Sequence, residues 1–400
     1  GSSLSFVVQS LFKKTEKPFL IILNDKEEAA YYLNDLEQMI GDEDVLFYPG
    51  SYRRPYQIED TDNANVLLRA EVLNRINSRK KPAIIVTYPE ALFEKVVTRK
   101  ELDKNTLKVT VGDQISIDFI NEVLFEYEFK RVDFITEPGE FSVRGGIVDV
   151  FSFSNDNPYR IEFFGNEVDS IRSFDVETQL SIEKQKKITI IPNVENKFFQ
   201  ENRESFLEYI NNQTVLFIQD TDSLFSKLDR LFAKATEIFE NLNATVNHVA
   251  PNQLFLNQVE FIKKSLDFSV VELSSKPIYK TKKAFDFYIK PQPSFNKQFD
   301  LLLNNLNDNH FNGYQNYLFC SNEAQAKRFH DIFESLDEEN SENIRKQYNT
   351  IVFPIYQGFI DEENQLACYT DHQIFERYHK FSIKNAISKK QNITLKELTT

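Results

Sequence analysis

Residues 1–112 alternate short apolar runs with stretches of helical spacing. Phe19–Leu23, Val45–Tyr48 and Ala83–Thr87 are unbroken apolar runs of strand length. Asn24 is expected to cap a helix that runs to Ile40 and stops at Gly41. Val66, Leu67, Ala70, Leu73 and Ile76 mark one face of a second helix, with Thr61 or Asp62 as its start, and Pro89 opens a third. Repeats of strand, helix and strand predict right-handed crossovers and a parallel sheet.

Residues 113–189 change rhythm. After one helix near Asp118–Glu126 the apolar positions alternate. Val148, Val150 and Phe151–Phe153 read as a strand, and Tyr159–Phe164 as the next, after an Asn157-Pro158 turn. Gly165-Asn166 suits a tight hairpin into Glu167–Phe174. The period of two puts Tyr159, Ile161 and Phe163 on one face and Arg160, Glu162 and Phe164 on the other. A large aromatic therefore shares the charged face with an arginine, and Arg144 comes from the preceding strand. Arg and Phe together on a sheet surface suit a protein-binding hot spot. A competing reading pairs Arg144 and Arg160 across strands with Glu162 or Glu140, and leaves Phe164 in a core.

Residues 190–279 return to α/β character, with a strand at Val215–Gln219 and a helix from Asp220 or Asp222 through Phe232. The meander thus reads as an insertion into one α/β domain. A separate small α/β domain spans 280–393. Its expected strands are Phe285–Ile289, Tyr317–Cys320, Ile351–Ile355 and Leu366–Tyr369. Ser321 is its helix cap, and Asp337–Asn349 its polar loop. Residues 394–400 read as the start of a linker.

The net charge of −14 argues against a free-standing nucleic-acid binder and predicts weak DNA binding at best. Cys320 and Cys368 lack metal-ligand spacing and read as buried thiols in a reducing, cytoplasmic setting. No apolar run is long enough for a membrane span. The five histidines are scattered, His372 and His379 lie seven apart, and surface or capping roles are expected for all. No carboxylate pair or Cys–His pair stands out as catalytic. The opening Gly1-Ser2-Ser3 reads as the remnant of a tag, and the chain as a piece of a longer protein.

The run Pro138-Gly139-Glu140-Phe141-Ser142-Val143-Arg144-Gly145-Gly146-Ile147-Val148-Asp149-Val150-Phe151 is followed by Pro158-Tyr159-Arg160-Ile161-Glu162-Phe163-Phe164. Ser170-Ile171-Arg172-Ser173-Phe174-Asp175-Val176-Glu177-Thr178-Gln179 completes the pattern. This ordered set resembles the segment shared by the excision-repair subunit UvrB and the bacterial transcription-repair coupling factors. Phe47–Tyr56 is similar to a further family element, with Pro49, Pro55 and Tyr56 in place. Thr370-Asp371, Ile374-Phe375 and Ile393–Leu398 resemble the approach to the polymerase-binding domain.

In UvrB the first strand leads into a glycine-rich loop ending in lysine. Here Leu23 is followed by Asn24-Asp25-Lys26-Glu27-Glu28, which offers no phosphate cradle. That difference favours the coupling factors. The resemblance implies a multidomain α/β fold. A UvrB-like degenerate RecA-type parallel α/β domain would carry an inserted β-meander and helix domain. It implies that Arg144, Arg160, Phe164 and, less closely matched, Arg131 bind UvrA. Ser142 stands where UvrB has arginine. It further implies no cofactor and no enzymatic activity in this chain, with ATP and magnesium used only by absent motor domains. RNA polymerase and DNA would be reached through absent domains, and the UvrA surface would be masked by the motor end at rest. Truncating Arg144, Arg160 or Phe164 is expected to weaken UvrA binding and leave folding intact. Two alternatives stay open. A UvrB-type ATPase would need the missing loop, and a structural spacer would show no UvrA binding.

Overall fold

The computed structural model describes residues 2–51, 63–78, 81–194, 203–242, 249–274, 276–280, 283–336 and 347–377. The chain is a mixed, multidomain α/β protein. Its first part runs α1 (Ser3–Thr15), β1 (Phe19–Ile22), α2 (Lys26–Ile40), β2 (Val45–Phe47), α3 (Asn63–Ser78), β3 (Ile84–Thr87), α4 (Pro89–Phe93), β4 (Val96–Val97) and α5 (Arg99–Lys104). The inserted part holds β5 (Leu107–Thr110), α6 (Ile117–Glu126), β6 (Lys130–Arg131), β7 (Glu140–Arg144), β8 (Ile147–Val150), β9 (Tyr159–Phe164), β10 (Glu167–Phe174), β11 (Ser181–Gln185) and β12 (Lys187–Ile190). The chain then returns through β13 (Arg203–Glu204), α7 (Phe206–Tyr209), β14 (Val215–Ile218), α8 (Thr221–Glu240), α9 (Pro251–Leu254), α10 (Gln258–Ser265) and β15 (Ser269–Glu272). The last part holds β16 (Ile289–Pro291), α11 (Phe299–Phe311), β17 (Gln315–Cys320), α12 (Glu323–Leu336), β18 (Tyr348–Val352), β19 (Phe359–Asp361), β20 (Leu366–Thr370) and α13 (Asp371–Ile374).

The first sheet has the order β15-β14-β1-β3-β2, and every pairing in it is parallel. β1 and β3 are buried along their whole length, as strands covered on both faces must be. Between β3 and β14 the chain leaves this domain and comes back. β5 and β12 pair antiparallel, Leu107 opposite Ile190, and form the stem of the insertion. β13 pairs with β4 at the base. Val109 of the stem packs in the inserted domain's own core with Ile120, Leu124, Val148 and Ile161.

Several local expectations change. The cap of α2 is Asp25, which accepts from the Glu28 amide at 2.8 Å, while Asn24 reaches Glu28 with its own amide. The cap of α12 is Asn322, whose side chain accepts from the Gln325 amide at 3.0 Å. The Ser321 hydroxyl instead donates to Asp371 at 2.6 Å. Phe285–Ile289 is not a strand. Only Ile289–Pro291 finds a partner, β19, and Phe285 and Phe287 stay exposed. β18 covers Tyr348–Val352, so Asn349 is strand and not loop. The strand at Phe151–Phe153 ends at Val150. His372 is buried and stacks parallel to Tyr356, against the surface role expected of it. Thr61, Asp62, Pro55, Tyr56, His379 and Ile393–Leu398 lie outside the described residues.

The last domain docks on the first through α1. Phe6 packs against Phe319 and Phe359, while Val8 and Phe12 face the first core. Tyr31 and Tyr356 stack at 3.7 Å across the same seam. Buried Asp35 accepts hydrogen bonds from the Ser2 hydroxyl and the Tyr356 amide. Among the described residues no helix is long and apolar enough to cross a membrane.

Candidate partner-binding face of the inserted domain

The second sheet has the order β11-β10-β9-β8-β7-β6, antiparallel except for β6 against β7. Its cross-strand rows alternate between two faces. Val143, Val148, Ile161 and Ile171 form one row, and Phe141, Val150 and Tyr159 the row two residues away. These residues lie under α6, whose Ile120 and Leu124 complete the core. The intervening rows point away from the helix. They carry Ser142, Asp149, Arg160, Arg172 and Lys184, then Arg144, Ile147, Glu162 and Ser170. Phe164 ends β9 on this second face.

Two hairpins bring the key side chains to one end of the sheet. Arg144 pairs with Ile147 around Gly145-Gly146, and Phe164 pairs with Glu167 around Gly165-Asn166. Gly145 and Gly165 have φ of +59° and +65°, the left-handed backbone that glycine adopts without strain. The Phe164 ring is 83% exposed. It is therefore no part of the core, which Phe163 joins from the other face.

The arginines differ in kind. Arg160 is only 16% exposed and its partner Asp149 only 2%. Its Nε donates to Asp149 Oδ1 at 2.7 Å and its Nη2 to Oδ2 at 2.8 Å, the bidentate fork of a strong pair. Its guanidinium also lies 4.5 Å from the centre of the Phe174 ring. The Asp149 hydrogen bonds raise the Arg160 pKa above its ordinary value. Arg144 is 42% exposed and donates to the same carboxylate, Nη2 to Oδ2 at 2.5 Å. Its guanidinium stands 5.3 Å from the centre of the exposed Phe134 ring. The cross-strand partner is therefore Asp149, not Glu162 or Glu140. Glu162 is engaged by Arg172 and the Ser170 hydroxyl, and Glu140 accepts from Thr136 and Glu137 in the loop before β7.

Arg131 does not join this set. It is exposed, and β6 pairs it with Phe141, so it lies on the face of α6. Sequence reasoning missed Asp149 and Phe134. The available signal for Asp149 was an acid set between two apolar residues of a strand beside two arginines. Nothing in the sequence pattern singled out Phe134. The two outward rows carry Arg144, Arg160, Arg172 and Lys184 beside Asp149 and Glu162, and Phe164 adds an apolar group at the hairpin end, which suits an acidic partner with an apolar contact.

The position where a nucleotide-binding loop would sit has the opposite character. Asp25 already occupies the Glu28 amide, and Glu27 and Glu28 fill the first turn of α2. Anions at that helix end would meet three carboxylates. Among the described residues no cluster of His, Cys, Asp or Glu is arranged to hold a metal.

Residues 107–196 match the family model of the UvrB interaction domain. The transcription-repair-coupling factor of Bacillus subtilis (strain 168) is 32% identical over 249 residues, which is 62% of this chain and 20% of that protein. That of Staphylococcus haemolyticus is 31% identical over 190 residues, 47% of this chain and 16% of that protein. That of Escherichia coli (strain K12) is 25% identical over 192 residues, 48% of this chain and 17% of that protein. The alignments thus take in a fifth or less of the relatives' length. The resemblance to transcription-repair coupling factors read from Pro138 onward is shown by these matches.

Proposed function

We propose that this chain is a docking module that recruits UvrA to stalled transcription complexes in nucleotide excision repair. The observation that carries the reading is the helix-free face of the inserted domain. There an almost fully exposed Phe164 shares one sheet end with a half-exposed, oriented Arg144. A ring left in water costs little in the free chain and gains on being covered, which is how aromatic anchors work. The reading assigns the chain no catalysis, since the α2 terminus that would hold a phosphate is filled with carboxylates. ATP-driven translocation and the handling of RNA polymerase and DNA belong, on this reading, to other parts of a longer protein. The same face is also the candidate for a resting contact with a motor end, and competition between an added motor portion and UvrA tests that.

Calorimetric titration with UvrA is the direct experiment. Arg144→Ala and Phe164→Ala should each weaken binding about tenfold or more. The thermal midpoint should hold, because neither side chain fills a core. Wild-type affinity in both variants would place the UvrA surface elsewhere. Lost stability with intact affinity in Phe164→Ala would remove Phe164 from the surface.

A further inference from the structure

We propose that Phe134 is a further member of the docking face, a shelf that holds the Arg144 guanidinium toward an acidic group of the partner; the inference rests on the UvrA reading above. Phe134 lies in the loop between β6 and β7 and is 65% exposed. Its backbone is fixed all the same. Val132 and Ile135 on either side turn into a small core with Phe151 and Phe174. The Ser142 hydroxyl donates to the Asp133 carbonyl at 3.1 Å and ties the loop to β7. The Thr136 amide and hydroxyl and the Glu137 amide all donate to Glu140 Oε2. The ring is thus held in water by a pinned loop.

Arg144 is held on two sides, by the Asp149 carboxylate and by the Phe134 ring, over which its guanidinium carbon stands. Its Nε and Nη1 donate to no group among the described residues. A guanidinium held between a ring and a carboxylate keeps its remaining N–H groups in one orientation, which suits a second carboxylate and which a rotating ammonium does not copy. The partner chemistry that fits is a carboxylate flanked by apolar surface, with Phe134 and Phe164 on either side of the ion pair.

The test is a double-mutant cycle with UvrA as titrant, run well below the thermal midpoint. Phe134→Ala should weaken binding about fivefold without moving the midpoint. In the Arg144→Ala background the same change should add less than about twofold, because the shelf then supports nothing. Phe134→Tyr should bind like the wild type. The inference is overturned if Phe134→Ala leaves affinity intact while Arg144→Ala and Phe164→Ala weaken it. An equal loss from Phe134→Ala in both backgrounds also overturns it, since the ring would then act independently of Arg144. If Arg144→Ala and Phe164→Ala also bind like wild type, the docking reading itself fails and the shelf falls with it.

Discussion

Arg160→Ala should unfold the inserted domain more easily, whereas Arg144→Ala should not. The sequence pattern alone treats the two arginines as equivalent surface groups, expected to leave folding intact on truncation. The structure separates them. Asp149 is 2% exposed and accepts two hydrogen bonds from Arg160, which is itself only 16% exposed. Removing one partner of a buried pair costs about 3–5 kcal/mol, because a desolvated charge is left behind. Here Arg144 still donates to Asp149 and Arg160 retains some contact with water, so about 2–3 kcal/mol is the reasoned loss. For a domain of this size that lowers its unfolding midpoint by roughly 10–20 °C. Arg144 is 42% exposed, and its ion pair should contribute no more than about 1 kcal/mol. Differential scanning calorimetry of both variants measures the contrast. Because the chain has several domains, the inserted domain's transition must be resolved separately. A control replaces both buried partners, Arg160→Met with Asp149→Leu, and should recover much of the loss. Equal midpoints for Arg160→Ala and wild type would refute the buried-pair argument. They would also return Arg160 to the status of a simple surface contact.

Titration with magnesium ATP should give no saturable heat at micromolar concentrations, because the α2 terminus is capped by Asp25 and flanked by Glu27 and Glu28; measurable binding would contradict that reading of the first domain. Burial raises the Asp35 carboxyl from its ordinary 3.8 to about 6, opposed by hydrogen bonds from Ser2, Tyr356 and Ser5. The folded state then binds this proton more tightly than the unfolded one. The stabilisation is full below 3.8 and is lost as pH rises through about 6. Asp35→Asn should flatten denaturant-derived stability across that window, a change worth about 3 kcal/mol at most, and an unchanged slope would count against it. Burial pushes the Cys320 and Cys368 thiols up to about 12. A thiol reagent at mildly alkaline pH should therefore label neither in the folded chain and both in denaturant, and rapid native labelling would show that one of these sites opens.

The sequence was most informative where local geometry alone decides. A strand alternates every residue, so the parity of Tyr159–Phe164 already separated the helix-facing side chains from Arg160, Glu162 and Phe164, and the register agrees with that split. Gly165-Asn166 marked its hairpin for the same reason. Which acid meets which arginine was out of reach, because that depends on the stagger between strands. Asp149 faces Arg160 only because Val148 pairs with Ile161. The side of the sheet that Arg131 takes was out of reach for the same reason, since it follows from the parallel pairing of β6 that puts it across from Phe141. The helix caps were displaced by one residue, from Asn24 to Asp25 and from Ser321 to Asn322, because neighbouring polar residues compete for the same amides. Phe134 was illegible. It is an apolar residue in a loop, and its exposure is set by Val132 and Ile135 turning inward around it.

The placement of the proposed docking face follows from how the two sheets are covered. In the first domain the central strands are buried on both sides, and that sheet has little surface left to offer. Among the described residues the inserted sheet is covered by one helix, on one side, so its other face must remain compatible with water. Polar groups there meet the requirement by pairing: Asp149 with two arginines, and Glu162 with Arg172 and Ser170. A buried pair such as Arg160–Asp149 is a weak source of net stability compared with apolar packing. What it supplies instead is a fixed carboxylate on which Arg144 can be held at the hairpin end. On the proposed docking reading the pair acts as support for the neighbouring Arg144. That explains why two arginines in one motif divide into a buried residue and a displayed one.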